Sequence, residues 1–120
     1  MINLDTLGLG PTAVWATHSD TQLLDALVRV VNAVHLPLSA VNVDKVGTTD
    51  SESFAKYKIP RTTIHSVTQE TLPILHSDKD KLNVIKMDDY YSTYRLLAAY
   101  LAFLDTALGQ PAVPAQKPAL

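Results

Sequence analysis

Residues 20–35 read DTQLLDALVRVVNAVH and residues 36–46 read LPLSAVNVDKV, and the change of period between them decides the fold. In the first segment Leu24, Leu27, Val28, Val31 and Val34 recur at three- and four-residue steps, the spacing of one helical face. Ser19 and Gln22 are spaced as a capping box at the start of that helix. Pro37 ends it, because proline lacks the amide hydrogen and clashes with the preceding turn. In the second segment Leu38, Ala40, Val41, Val43 and Val46 are apolar among polar neighbours, which predicts a strand over Leu38–Val46.

The same exchange of periods continues outward in both directions. Upstream, Ile2–Asp5 and Thr12–Ala16 read as short strands, separated by a turn punctuated by Gly8 and Gly10. Downstream, Gly47 opens a loop, and Thr49 with Glu52 is spaced to cap a short helix carrying Phe54, Ala55 and Tyr57. Ile59-Pro60 stops that helix, and Arg61–Val67 is rich in Thr, Ile and Val, as a strand requires. Gln69–Asn83 reads as a long loop, of the kind that often carries function. Asp88–Leu108 then predicts a long helix whose buried stripe is Tyr90, Tyr94, Leu97, Leu101, Leu104 and Leu108. Gly109 ends it, and residues 109–120, with Pro111, Pro114 and Pro118, read as an extended Pro/Ala-rich tail. Strands alternating with helices predict an α/β layered fold, here a partial three-layer sheet with flanking helices over residues 1–108.

Composition excludes several classes of function. Ten Lys and Arg against 12 Asp and Glu leave a formal charge of -2, which offers nucleic acid no clustered positive surface. Cysteine is absent, so disulfide stapling and thiolate catalysis are excluded. No apolar run approaches the roughly 20 residues of a membrane span. No His-Glu-x-x-His string, phosphate-binding glycine loop, Gly-x-Ser-x-Gly elbow or dinucleotide fingerprint occurs.

The candidate site residues lie where an open α/β sheet presents ligands, outside the carboxyl ends of its strands. Asp5 ends the first strand and Asp50 starts the short helix. His76 sits in the long loop within His76-Ser77-Asp78-Lys79-Asp80, where Asp80 is close enough in sequence to orient its ring. Two carboxylates and an imidazole are credible zinc donors, although Asp50 also reads as a helix cap and Asp5 as a turn residue. Of the other histidines, His18 and His35 flank helix ends. His65 ends a strand, where a buried polar contact and a site position both remain open.

Four segments in series are similar to the zinc-dependent exopeptidase family, which includes bacterial two-zinc aminopeptidases, glutamate carboxypeptidase, the transferrin receptor ectodomain and glutaminyl cyclases. Ile2-Asn3-Leu4-Asp5-Thr6-Leu7-Gly8 resembles the strand whose aspartate binds a metal. Thr49-Asp50-Ser51-Glu52-Ser53-Phe54 resembles the family's Ser-Asp-His-x-x-Phe element beside the active site. Lys58-Ile59-Pro60 resembles its Gly-Ile-Pro, and Leu75-His76-Ser77-Asp78-Lys79-Asp80 its Tyr-His-Thr-x-x-Asp. Ser51 stands where many members have histidine, Lys58 replaces the glycine, and Leu75 replaces an aromatic residue. The resemblance runs over about residues 2–105.

The resemblance implies the C-terminal half of a catalytic domain that hydrolyses peptide bonds through a metal-activated water. It assigns Asp5 and His76 as ligands to two different zinc ions, with Asp50, Ser51 and Asp80 around them. The general-base glutamate and the remaining ligands belong to the half preceding Asp5, so no catalytic residue is assigned within the chain. The isolated chain is expected to bind zinc weakly or not at all and to be inactive. Peptides are the implied substrates, and neither nucleic acid nor a membrane is expected as a partner. An exposed sheet edge is a possible site of self-association. The alternative reading is a naturally short, non-catalytic relative acting as a structural or protein-binding module.

Overall fold

The computed structural model describes residues 1–43 and 49–109. Four strands, β1 (Ile2–Asp5), β2 (Ala13–Val14), β3 (Ser39–Ala40) and β4 (Thr62–His65), form one mixed sheet in the order β1-β4-β2-β3. β1 runs parallel to β4, in a register that sets Asp5 opposite His65. β2 is parallel to β3 and antiparallel to β4, with Ala13 also opposite His65. The carboxyl ends of β1 and β4 therefore share one edge.

Among the described residues three α-helices accompany the sheet, α1 (Thr21–Val34), a single turn α2 (Glu52–Ala55) and α3 (Met87–Gly109), with short 3-10 turns at Ala16–His18, Leu72–Ile74 and Leu82–Val84. Side chains alternate across a strand, so the sheet has two distinct faces. Val14 and Ile64 join Leu27 and Val30 of α1 and Leu96, Leu97 and Tyr100 of α3 in the main core. On the other face lie Asn3, Thr63 and His65, buried with Trp15, Val43 and Val67 beneath loop segments. The architecture is a mixed α/β fold whose partial sheet carries α1 and α3 together on one side.

Both capping boxes expected from the sequence are absent from the structure. Ser19 Oγ donates to the Trp15 carbonyl and accepts from Thr62 Oγ1 and the Thr63 amide, so it ties the chain to β4 instead of capping α1. Asp20 occupies the N-cap of α1, and its carboxylate accepts the Arg61 amide at 2.7 Å. Thr49 pairs its hydroxyl with Ser51, the N-cap of α2, while Glu52 forms an ion pair with Arg61 at 3.0 Å. Polar partners across the fold outcompete the local caps.

The helix faces also differ in detail from the sequence reading. Val28 is 49% exposed, and Val30 takes its place in the core. On α3 the buried residues are Thr93, Leu96, Leu97 and Tyr100, whereas Tyr90, Tyr94, Leu101 and Leu108 are exposed. Two adjacent stripes of this helix are apolar, and periodicity alone does not choose between them. Polar contacts choose here. Thr93 donates to the Asp89 carbonyl and accepts from Thr12, and Tyr100 donates to the Leu23 carbonyl at 2.9 Å. Burial pushes the Tyr100 hydroxyl pKa up to about 12.

Gly8 fits its position because it lacks a side chain. Its φ is +90°, and a Cβ there would meet Ile85 Cγ2 at 2.9 Å, just where the Gly8 carbonyl receives the Lys86 amide. The strand expected over Leu38–Val46 is reduced to Ser39–Ala40 among the described residues, and Asp44–Thr48, including the loop-opening Gly47, lie outside them. The tail expected at 109–120 also falls outside, apart from Gly109, which closes α3. Among the described residues no helix is long and apolar enough to cross a membrane.

Candidate functional site

At the shared carboxyl edge of β1 and β4 lies a cavity of about 300 Å³. Asp5 and His76, far apart in sequence, both line it, together with Thr6, Thr49, Thr63 and His65. Its apolar wall is Trp15, Val43, Val67, Leu72 and Leu75. β1 delivers Asp5 to the edge, and the long loop brings His76 over it. A two-residue period accounts for the floor: Asp5 on β1 shares a face with Thr63 and His65 on β4.

The backbone is strained at two places on the cavity rim. Thr6 has φ +45° and His76 has φ +59°, both in the left-handed region that glycine normally occupies. For Thr6, branched at Cβ, this is a genuine outlier. Such conformations cost on the order of 1–3 kcal/mol each and cluster at functional sites. Thr6 Oγ1 is buried with no hydrogen-bond partner among the described residues.

His65 is the most enclosed ring of the site. Its Nε2 lies 2.9 Å from the Val41 carbonyl, and Nδ1 accepts the Val67 amide at 3.1 Å. Nδ1 is thus the acceptor and Nε2–H the donor, so neither nitrogen retains a lone pair for a metal. Burial lowers the His65 pKa below its ordinary value, opposed by the Val41 hydrogen bond and the nearby Asp5 charge. The neutral ring is a structural strut, its edge toward Trp15 at 6.2 Å. This resolves the ambiguity left by the sequence.

The remaining candidates are distributed around the cavity. Ser51 is fully buried and accepts from Thr63 Oγ1 at 3.1 Å, which places it behind the wall. Asp50 is exposed and is not among the lining residues. Asp80 accepts the backbone amide of His76 at 3.1 Å, so it braces the loop through main chain and not through the ring. It lines a neighbouring cavity of about 280 Å³ that shares Thr6 and Leu75 with the first. The sequence reading missed Thr6, Trp15, Thr49 and Thr63; for Thr63 the signal was its place in the alternation of β4.

As a zinc site the set is incomplete. Stable zinc sites use three or four protein donors. The cavity offers one carboxylate and one free imidazole, and among the described residues no group of three or more His, Cys, Asp or Glu side chains is placed to hold a metal. The residues present do not by themselves fit zinc.

Comparison with known proteins bears on the fold. Two crystal structures of LapA from Legionella pneumophila, one described as the LapA aminopeptidase, superimpose on the chain. The aminopeptidase structure matches with a TM-score of 0.72 and 18% identity, over 86% of this chain and 30% of LapA. The other matches with a TM-score of 0.64 and 18% identity, over 78% of this chain and 26% of LapA. The chain thus spans less than a third of the solved protein. No family model matches the sequence, and no curated protein does. The likeness read from the four sequence segments is shown at the level of the fold.

Proposed function

We propose that this chain is the part of a zinc-dependent exopeptidase domain, of the aminopeptidase type, that contributes one carboxylate and one imidazole to its metal centre. The observation that carries the reading is the convergence of Asp5 and His76 on one cavity at the strand ends, with backbone strain at Thr6 and at His76 itself. Of the two, the β-branched Thr6 is the conformational outlier, since a histidine also closes α1 in the left-handed region at His35.

In this reading the remaining donors and the general base come from outside the chain. Two donors are too few, since zinc affinity must offset the dehydration of the ion and the ordering of the His76 loop. Asp80 holds that loop by its bond to the His76 amide, Ser51 and Thr63 brace the wall, and the apolar residues of the cavity form a contact surface for a peptide substrate. The isolated chain is accordingly inactive. The test is hydrolysis of chromogenic aminoacyl substrates by the chain with added zinc. No turnover above background is expected; turnover of about 1 s⁻¹ that a chelator abolishes contradicts the division of the site.

A further inference from the structure

We infer that His18 is a positioning residue of the cavity, a proton-operated clamp that joins the wall at Trp15 to the wall at Thr49. Trp15 and Thr49 both line the cavity, from segments far apart in the chain, and His18 is not among the lining residues. It stands behind them and reaches both. Its ring meets that of Trp15 in a T-shaped contact, with centroids 4.4 Å apart and planes at 68°. Its Nε2 lies 3.3 Å from Glu52 Oε1. Glu52 in turn donates its backbone amide to the Thr49 carbonyl at 3.0 Å. A chain of contacts thus runs from one wall, through an imidazole and a carboxylate, to the other.

The two ends of that chain are anchored differently. On the His18 side, Ser19 accepts the Thr63 amide, and Asp20 donates its amide to the Arg61 carbonyl at 2.7 Å. On the other side α2 is a single turn with no buried residue of its own. Glu52 Oε1 is buried and makes no hydrogen bond among the described residues, so its contacts with His18 and with Arg61 at 3.0 Å hold by charge. Arg61 is always charged, and its share of the pairing is constant. His18 supplies the share that a proton decides, since an imidazole changes charge between about pH 5 and 8. Protonated, it is a second cation on Glu52 and draws the turn that carries Thr49 toward Trp15. Neutral, it leaves Glu52 to Arg61, and the turn is tied to β4 but not to the Trp15 segment. The clamp is therefore closed at the acid end of the range. The side chains of His18 and Glu52 are 24% and 35% exposed, so solvent supplies the proton. Among the described residues the other ionisable groups nearby are Asp20, whose carboxylate accepts the Arg61 amide, and His65, on Trp15 at 6.2 Å.

Trp15 is the single tryptophan of the chain and reports the clamp directly. The test is its emission, and the quenching of that emission by acrylamide, in the full chain between about pH 8 and pH 5. A transition is expected, because a protonated imidazole quenches an indole in contact with it, and acrylamide access should fall as the pH falls. His18→Gln should abolish the transition, and His65→Gln should leave it in place. Glu52→Gln separates contact from clamping: the imidazole still titrates beside Trp15, so the emission step should survive while the change in acrylamide access is lost. In the parent chain the Thr49 amide resonance should move with the same midpoint as the His18 ring. That measurement needs no variant and decides the matter even where a variant fails to fold. A Thr49 amide indifferent to the His18 midpoint overturns the inference, as does a transition that persists in His18→Gln or an acrylamide response unchanged by Glu52→Gln. None of these readouts requires a metal or turnover, so their outcome is independent of the assignment of Asp5 and His76.

Discussion

The two faces of the sheet are built from the same strands and do opposite things. On one, Ile64, Leu96 and Tyr100 are fully buried against α1 and α3, and the few polar groups are hydrogen-bonded. On the other, Asn3, Thr63 and His65 are just as buried, yet Asn3 Nδ2 finds no partner among the described residues and the rim is strained at Thr6 and His76. Burial of apolar surface stabilises, while a buried polar group left without a partner costs about 1–3 kcal/mol. The first face carries the stability of the chain and the second spends part of it on a fixed arrangement of side chains.

Breaking the packing face should have the largest effect. Leu96→Ala should lose about 2–5 kcal/mol in urea denaturation, whereas Leu101→Ala, further along the same helix but exposed, should stay within about 0.5 kcal/mol. Equal losses at the two positions would erase the distinction between the stripes of α3. Tyr100→Phe should cost about 0.5–1.5 kcal/mol, because it removes the part-buried hydrogen bond to the Leu23 carbonyl.

The polar face should show itself through pH. The folded His65 pKa lies below the 6.5 of an unperturbed histidine, so the unfolded chain binds the extra proton as pH falls through 6.5. Its contribution to stability is complete above that pH and is lost progressively below it, toward the folded value. Thermal melts from pH 8 to pH 5 should reveal this loss, and His65→Gln should remove that component of it. A smaller and more pointed effect is expected at His76. His76→Gly should leave stability unchanged or raise it by up to about 1 kcal/mol, since glycine relieves the left-handed backbone at some entropic cost. A loss of more than that would mean the ring is there for packing.

The two faces also differ in how far the sequence discloses them. The element order, β1, α1, β4 and α3 were legible because each has a strong period or a proline or glycine boundary. The face of α3 was not, since Leu97 and Leu104 belong to two apolar stripes, and the choice is made by Thr93 and Tyr100 through contacts with Thr12 and Leu23. The caps failed for the same reason: Ser19 and Asp20 have partners on β4 and at Arg61 that no local window contains. At the candidate site, the placing of Asp5 and His76 followed from strand ends and from a resemblance in series. Asp50 did not follow, because on a single helical turn its exposure depends on how Ser51 turns inward. Asp80 was read as a partner of the His76 ring, but its carboxylate takes the His76 amide, a geometry fixed by the left-handed turn between them.

The central claim is that Asp5 and His76 are two donors of one metal centre whose other donors lie outside the chain. A zinc titration followed by the resonances of the His76 ring and the Asp5 carboxylate tests it most directly. With one donor for each of two ions, binding should be very weak, on the order of 1 mM or weaker, with the His76 ring and the Asp5 carboxylate responding separately and His76→Ala leaving the response at Asp5 in place. Tight one-to-one binding, below about 1 µM, would show a complete site within the chain. Shifts confined to other residues would show that Asp5 and His76 do not share a metal-binding cavity.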